Sequence, residues 1–122
     1  MRALLVWVVA PFMLILSLNA SAASGRINST YVTALLVDDT DYGGCMMELS
    51  RGPQTVLGGC GGDWVSLDCL AAFPESTKSN ASQKYAQAQL AFISGNRLRV
   101  YITDDRTVNG FCFATRVDVL PP

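Results

Sequence analysis

No histidine occurs anywhere in the 122 residues, so the side chains that could do chemistry are four cysteines and a few clustered carboxylates. Ser-His-Asp and Cys-His nucleophile systems are therefore excluded. Cys45, Cys60, Cys69 and Cys112 are even in number, and their spacings of 15, 9 and 43 residues are unlike the tight C-x2-C pairs of a zinc site. Disulfides are expected, and no metal. A tight reversal over Ser50-Arg51-Gly52-Pro53-Gln54 would set Cys45 against Cys60 and leave Cys69 for Cys112. The competing pairing, Cys45 with Cys69 and Cys60 with Cys112, needs a longer hairpin centred near Leu57. The carboxylates sit in two turns: Asp38, Asp39 and Asp41 in one, Asp104 and Asp105 in the other. A pair about 5 Å apart would suit a retaining glycosidase, but Asp also serves turns by bonding to nearby backbone. Asp39-x-Asp41-x-Gly43 has the opening of a calcium loop without its closing acid, since Ser50 stands at the twelfth position. The chain reads as non-enzymatic and needs no cofactor.

The cysteines make sense in an oxidising compartment, and the front of the chain supplies the route. Met1-Arg2, an apolar run from Ala3 to Leu16 interrupted by Pro11, and the small residues Ala20 and Ala22 form a secretory signal peptide over residues 1–22. Residues 23–122 are then one disulfide-stapled domain, secreted or periplasmic, without stable membrane insertion after cleavage. Nine Lys plus Arg, one of them Arg2 of the leader, stand against ten Asp plus Glu, which gives the domain a net charge of −2. Nucleic acid is not an expected partner, because phosphate binding needs a basic stripe.

Residues 26–37 (RINSTYVTALLV) read as a first strand, residues 45–49 (CMMEL) as a second and residues 63–69, in which Trp64 and Val65 start an apolar stretch, as a third. Asn80 with Gln83 forms a capping box and Gly95 a C-terminal cap, predicting a helix over residues 81–94. Its expected buried stripe is Tyr85, Ala88 and Phe92, widened by Ala86, Leu90 and Ile93. Residues 97–103 alternate, with Leu98, Val100 and Ile102 on one face. Residues 104–110 turn the chain, and residues 111–120 alternate again, with Phe111, Phe113, Val117 and Val119 on one face broken by Thr115. The fold class is mainly β with one helix. The order β-β-β-α-β-β matches a five-stranded OB-like Greek-key barrel; an open α+β sheet with the helix on one face uses the same elements.

The Trp after a Gly/Cys-rich segment, a helix ending AFISGN, the strand RLRVYI and the final GFCFATRVDVL resemble a group of small exported bacterial proteins. These are similar to B subunits of AB-type toxins, the subtilase-cytotoxin type in particular. The resemblance covers residues 25–120 as a pattern of elements. It implies an OB-like barrel and, for the toxin branch, a ring-forming subunit that binds host glycans. The Gly-rich residues 52–62 and the four cysteines depart from the toxin pattern, and no glycan-binding residue carries over by position. In such a barrel the loops at residues 38–44 and 104–110 border the ligand face. The candidate ligand-binding residues are Tyr42 and Trp64 as stacking platforms, with Asp41, Asp105, Arg106 and Asn109 as hydrogen-bonding groups. The expected function is recognition of a glycan or a protein surface, with a homo-oligomer in view. The alternative is a periplasmic inhibitor or envelope accessory protein with one protein partner.

Overall fold

Tyr31 breaks the first strand in two. The computed structural model describes residues 23–122, so the signal peptide expected over residues 1–22 lies outside the described residues. Ser24–Thr30 (β1) pairs with Leu98–Val108 (β5), and Val32–Val37 (β2) pairs with Cys45–Leu49 (β3). Both pairings shift register beside Tyr31, between Ile27 and Thr30 and between Val32 and Ala34. Such bulges bend a strand. Thr30 is buried at the bend, where its hydroxyl donates to the Arg51 carbonyl at 3.2 Å and accepts the Arg51 N–H at 3.0 Å. Trp64–Ser66 (β4), the helix Lys78–Ser94 (α1) and Phe111–Val119 (β6) complete the chain.

The six strands form one open mixed sheet in the order β1-β5-β6-β4-β3-β2, mainly antiparallel, with β4 and β6 parallel. Its two edge strands, β1 and β2, are joined through the single residue Tyr31. The helix lies between β4 and β5 in sequence, as expected, and packs on β6, β2 and β3.

The core follows the period of two. Leu98, Val100 and Ile102 of β5 are buried together with Met47, Leu49, Val65 and Leu67. Each such side chain contributes about 1.5–3 kcal/mol of transfer energy. The helix departs from expectation at both its start and its face. Thr77, not Asn80, is the cap: its hydroxyl accepts the Asn80 N–H at 3.1 Å, and the helix starts a turn early at Lys78. Gly95 is the left-handed cap expected, at φ 71°. The buried stripe is Ala81, Ala88 and Ala91 with Tyr85 beside it, small residues that let the helix lie close to the sheet. Leu90, Phe92 and Ile93 are 54%, 47% and 85% exposed. At 100° per residue Leu90 and Ile93 fall on the side away from Ala88, so only part of the broad apolar face is used.

The disulfides are Cys45–Cys69 and Cys60–Cys112, which corrects the pairing first favoured. The reason is register. Met47 lies opposite Val65, so the hairpin centres on residue 56 and Cys45 falls beside Leu67, whose N–H donates to the Cys45 carbonyl at 3.1 Å. Cys69 is two residues further on. Cys60 lies in the loop, beside Gly61, whose N–H donates to the Gly110 carbonyl at 3.1 Å near Cys112.

β6 also reverses part of its expected face. Cys112 and Ala114 point into the main core cluster, and Phe111 and Phe113 lie on the opposite face of the strand, where Phe113 is buried against Phe73. Ile102 pairs with Ala114 and Tyr101 with Arg116, leaving Thr115 as an extra residue that shifts the phase. Val117 and Val119 then return to the core side. β5 runs on to Val108, beyond the expected end at Thr103, and a two-residue turn reverses the chain at Asn109 (φ 52°) and Gly110 (φ 82°). Positive φ at both positions is the signature of an Asn-Gly hairpin turn.

Candidate binding cleft

The outer face of the β2–β3–β4 corner carries apolar side chains where solvent would favour polar ones. Leu36 lies opposite Met46, Met46 opposite Ser66 and Glu48 opposite Trp64, so these residues share one face. Met47, Val65 and Leu35 point the other way, into the core. Tyr42, from the turn before β3, and Phe111, at the start of β6, reach over this outer patch, their ring centroids 6.2 Å apart with planes at 60°. Leu36, Tyr42, Met46, Trp64 and Phe111 line a cleft of about 210 Å³. Met46 is buried at its floor, while the three aromatic side chains are half-buried. No carboxylate or amine lines it.

Its walls are held from behind. Tyr42 adopts φ 56°, the left-handed region that bulky side chains avoid. The surrounding bonds fix it there. Buried Ser66 donates its hydroxyl to the Tyr42 carbonyl at 3.1 Å, and the Leu70 N–H donates to the Gly43 carbonyl at 3.0 Å. The Asp38 carboxylate accepts the N–H groups of Thr40 (2.8 Å) and Asp41 (2.6 Å), and those bonds hold its pKa below the ordinary carboxylate value. Cys45–Cys69 begins one residue after this loop, and Cys60–Cys112 is anchored next to Phe111. Each bridge therefore braces one lip of the cleft. A rigid apolar slot reduces the ordering cost of binding, and strained residues held this firmly tend to cluster at functional sites.

The candidate residues divide into two groups. Tyr42 and Trp64 come together; Asp41 immediately precedes Tyr42, and Asn109 in the hairpin turn lies two residues before Phe111. Asp105 and Arg106 lie elsewhere. They belong to three residues, 104–106, that β5 inserts between the pairs Thr103–Phe113 and Thr107–Cys112. Asp105 accepts the Thr103 hydroxyl at 2.6 Å, and Arg106 pairs with Glu75 beside the helix. Asp104 accepts the Ala23 backbone N–H at 2.7 Å. The carboxylates of Asp38, Asp104 and Asp105 are thus engaged in holding backbone and side chains in place. Leu36, Met46 and Phe111 were missing from the expected set. Only the extra residue at Thr115 reveals that Phe111 faces outward, and a bulge leaves no signature in composition. Among the described residues no helix is long and apolar enough to cross a membrane. Two disulfides fit an extracytoplasmic protein. Comparison of the chain with protein-family models, curated proteins and solved structures finds no match.

Proposed function

We propose that this is an exported, non-enzymatic binding protein that holds one ring of a glycan in the Tyr42–Trp64–Phe111 cleft. The observation that carries the proposal is the convergence of three half-buried aromatic rings over Leu36 and Met46, on a sheet face that solvent would otherwise make polar. Flat aromatic walls suit the apolar face of a sugar ring, and the nearby Asp41 and Asn109 offer polar groups to its hydroxyls. The volume takes a single ring, below the 300–1,000 Å³ usual for whole small-molecule sites, so the rest of the ligand would lie along the surface.

The strand order supports reading the sheet as an OB-like barrel. With β1 and β2 counted as one bent strand, five strands remain, the helix follows the third, and the third and fifth are parallel neighbours. Oligosaccharide-binding members of that architecture use the face of the second and third strands, bordered by the first and fourth connecting loops. The aromatic cleft lies on the outer face of β3 and β4 beside the loop at residues 38–44, which supports that reading. The likeness to toxin B subunits accordingly enters the proposal as glycan recognition by a subunit able to assemble with copies of itself.

A glycan array probed with residues 23–122 tests this. Binding to a restricted set of glycans, lost in Phe111→Ala, is the expected result. An array on which wild type and Phe111→Ala give the same signals would remove the proposal. Light scattering tests the assembly separately, a monomer at all concentrations counting against the ring.

A further inference from the structure

A second cleft, on the helix side, has the parts of a peptide groove. It measures about 640 Å³ and lies between α1 and β6. Asn80, Gln83, Lys84 and Gln87 face it from the helix, spaced so that they share one stripe. The opposite wall is the backbone edge of β6. Pairing between β4 and β6 is confined to Ser66 and Phe113, so beyond Phe113 no strand lies on that side. The Leu120 N–H donates to the Arg97 carbonyl at 2.8 Å, which sets the phase of the β5–β6 ladder. Counting back by twos, Asp118 and Arg116 exchange bonds with β5, while Val117 and Val119 turn their N–H and C=O groups away from it. Those groups find no other partner among the described residues. Residues 115–119 thus present about 13 Å of open strand edge, in a groove also lined by Phe113 from one face of β6 and by Val117 and Val119 from the other.

The charges around the groove name the occupant. Arg106 is paired with Glu75, and Arg116 with Asp118 at 2.7 Å. Lys84 lines the groove with no carboxylate at ion-pair distance among the described residues; its ammonium donates to the Ala114 carbonyl at 2.8 Å and sits 4.2 Å from the centroid of the Phe113 ring. One of its three donors is used there, leaving two. Asp68 is near enough to favour the charged form, but the Asp68 oxygens already accept the Ala72 and Phe73 N–H groups at 2.8 and 3.1 Å.

We propose that an extended peptide adds to the edge of β6 as a further strand, with a carboxylate of the peptide bound by Lys84 and its backbone amides met by the carboxamides of α1. Main-chain bonds would supply affinity and the side chains lining the groove selectivity, the general pattern of strand addition. This site does not depend on the aromatic cleft.

The test screens residues 23–122 against immobilised random octapeptides carrying Glu, Gln or Lys at one fixed position, then follows the best binder by ¹⁵N NMR. The Glu library should bind best, with about a tenfold preference over Gln that disappears in Lys84→Met. Amide shifts should centre on Val117 and Val119. N-methylation of the peptide at alternate residues should cost at least tenfold at every second position and little between. Val117→Pro removes an N–H that no ladder bond uses and should abolish binding; the N-methyl series gives the same answer if that variant does not fold. Equal binding by the three libraries, shifts confined to the Trp64 cleft, or indifference to N-methylation would overturn the proposal. So would protection of Val117 and Val119 that grows with protein concentration in the absence of peptide, since that would assign the edge to a second copy.

Discussion

Replacing Gly43 with Ala should weaken the domain through the loop that holds Tyr42. Gly43 sits at φ 71°, and a Cβ there would lie 2.6 Å from the Ser66 hydroxyl oxygen and 3.3 Å from the Cα of Asp68. Holding Ala in the left-handed region costs about 1–2 kcal/mol. The hydroxyl must move as well, and it is buried, donating to the Tyr42 carbonyl at 3.1 Å and accepting the Asp68 N–H at 3.3 Å. Disturbing those bonds adds about 1–2 kcal/mol. The expected loss is therefore about 2–4 kcal/mol, which lowers the melting temperature of a domain this size by roughly 10–20 °C. Gly58→Ala is the control, because a Cβ there meets nothing within 4 Å, and it should leave stability unchanged or raise it slightly. Thermal unfolding followed by circular dichroism compares the two. A melting temperature for Gly43→Ala within about 3 °C of that for Gly58→Ala would refute the account of the loop.

Tyr42→Asn keeps a residue that tolerates positive φ and removes the ring; stability should fall by no more than about 1 kcal/mol in urea titration, while glycan affinity drops at least tenfold. Replacing both Cys60 and Cys112 with Ala opens a 52-residue loop and should cost about 4 kcal/mol, against about 3.5 kcal/mol for the 24-residue Cys45–Cys69 loop; urea midpoints of the two double variants check the order. Burial lowers the pKa of Lys84 from 10.5 to about 8, opposed by Asp68. The folded state then binds fewer protons than the unfolded chain between pH 8 and 10.5, so stability rises with pH across that window and the full penalty applies below it. With solvent screening of a half-buried amine the gain is about 1 kcal/mol. Urea midpoints at pH 7.5 and 10 should show it in wild type relative to Lys84→Met; equal changes in both proteins would contradict it.

Much of the strand pattern was legible because period-two alternation and turn residues are local signals. β3 falls on the expected residues 45–49, and Leu98, Val100 and Ile102 are the buried face of β5 as read from their spacing. Gly95 ends the helix for the reason a glycine there should. What escaped depends on register between distant segments. The bend at Tyr31 sends two halves of one apparent strand to opposite edges of the sheet, and no local residue announces it. The disulfide pairing turned on a hairpin centre near residue 56 rather than 52. Two of the five cleft residues were legible for a similar reason. Tyr42 and Trp64 are conspicuous as aromatics beside turns, but Phe111 joins them only through the phase shift at Thr115, and Arg106 is drawn away by Glu75, which lies 31 residues earlier in the chain.

Trp64 is the single tryptophan of residues 23–122, since the other is Trp7. Its fluorescence therefore reports on the cleft alone. Titrating oligosaccharides selected on the array into wild type, Tyr42→Asn, Phe111→Ala and Lys84→Met measures the central claim directly. The account predicts a saturable change in Trp64 emission for wild type and Lys84→Met, with affinity reduced at least tenfold in the other two. Binding that leaves Trp64 emission unchanged, or that survives the loss of both Tyr42 and Phe111, would contradict it.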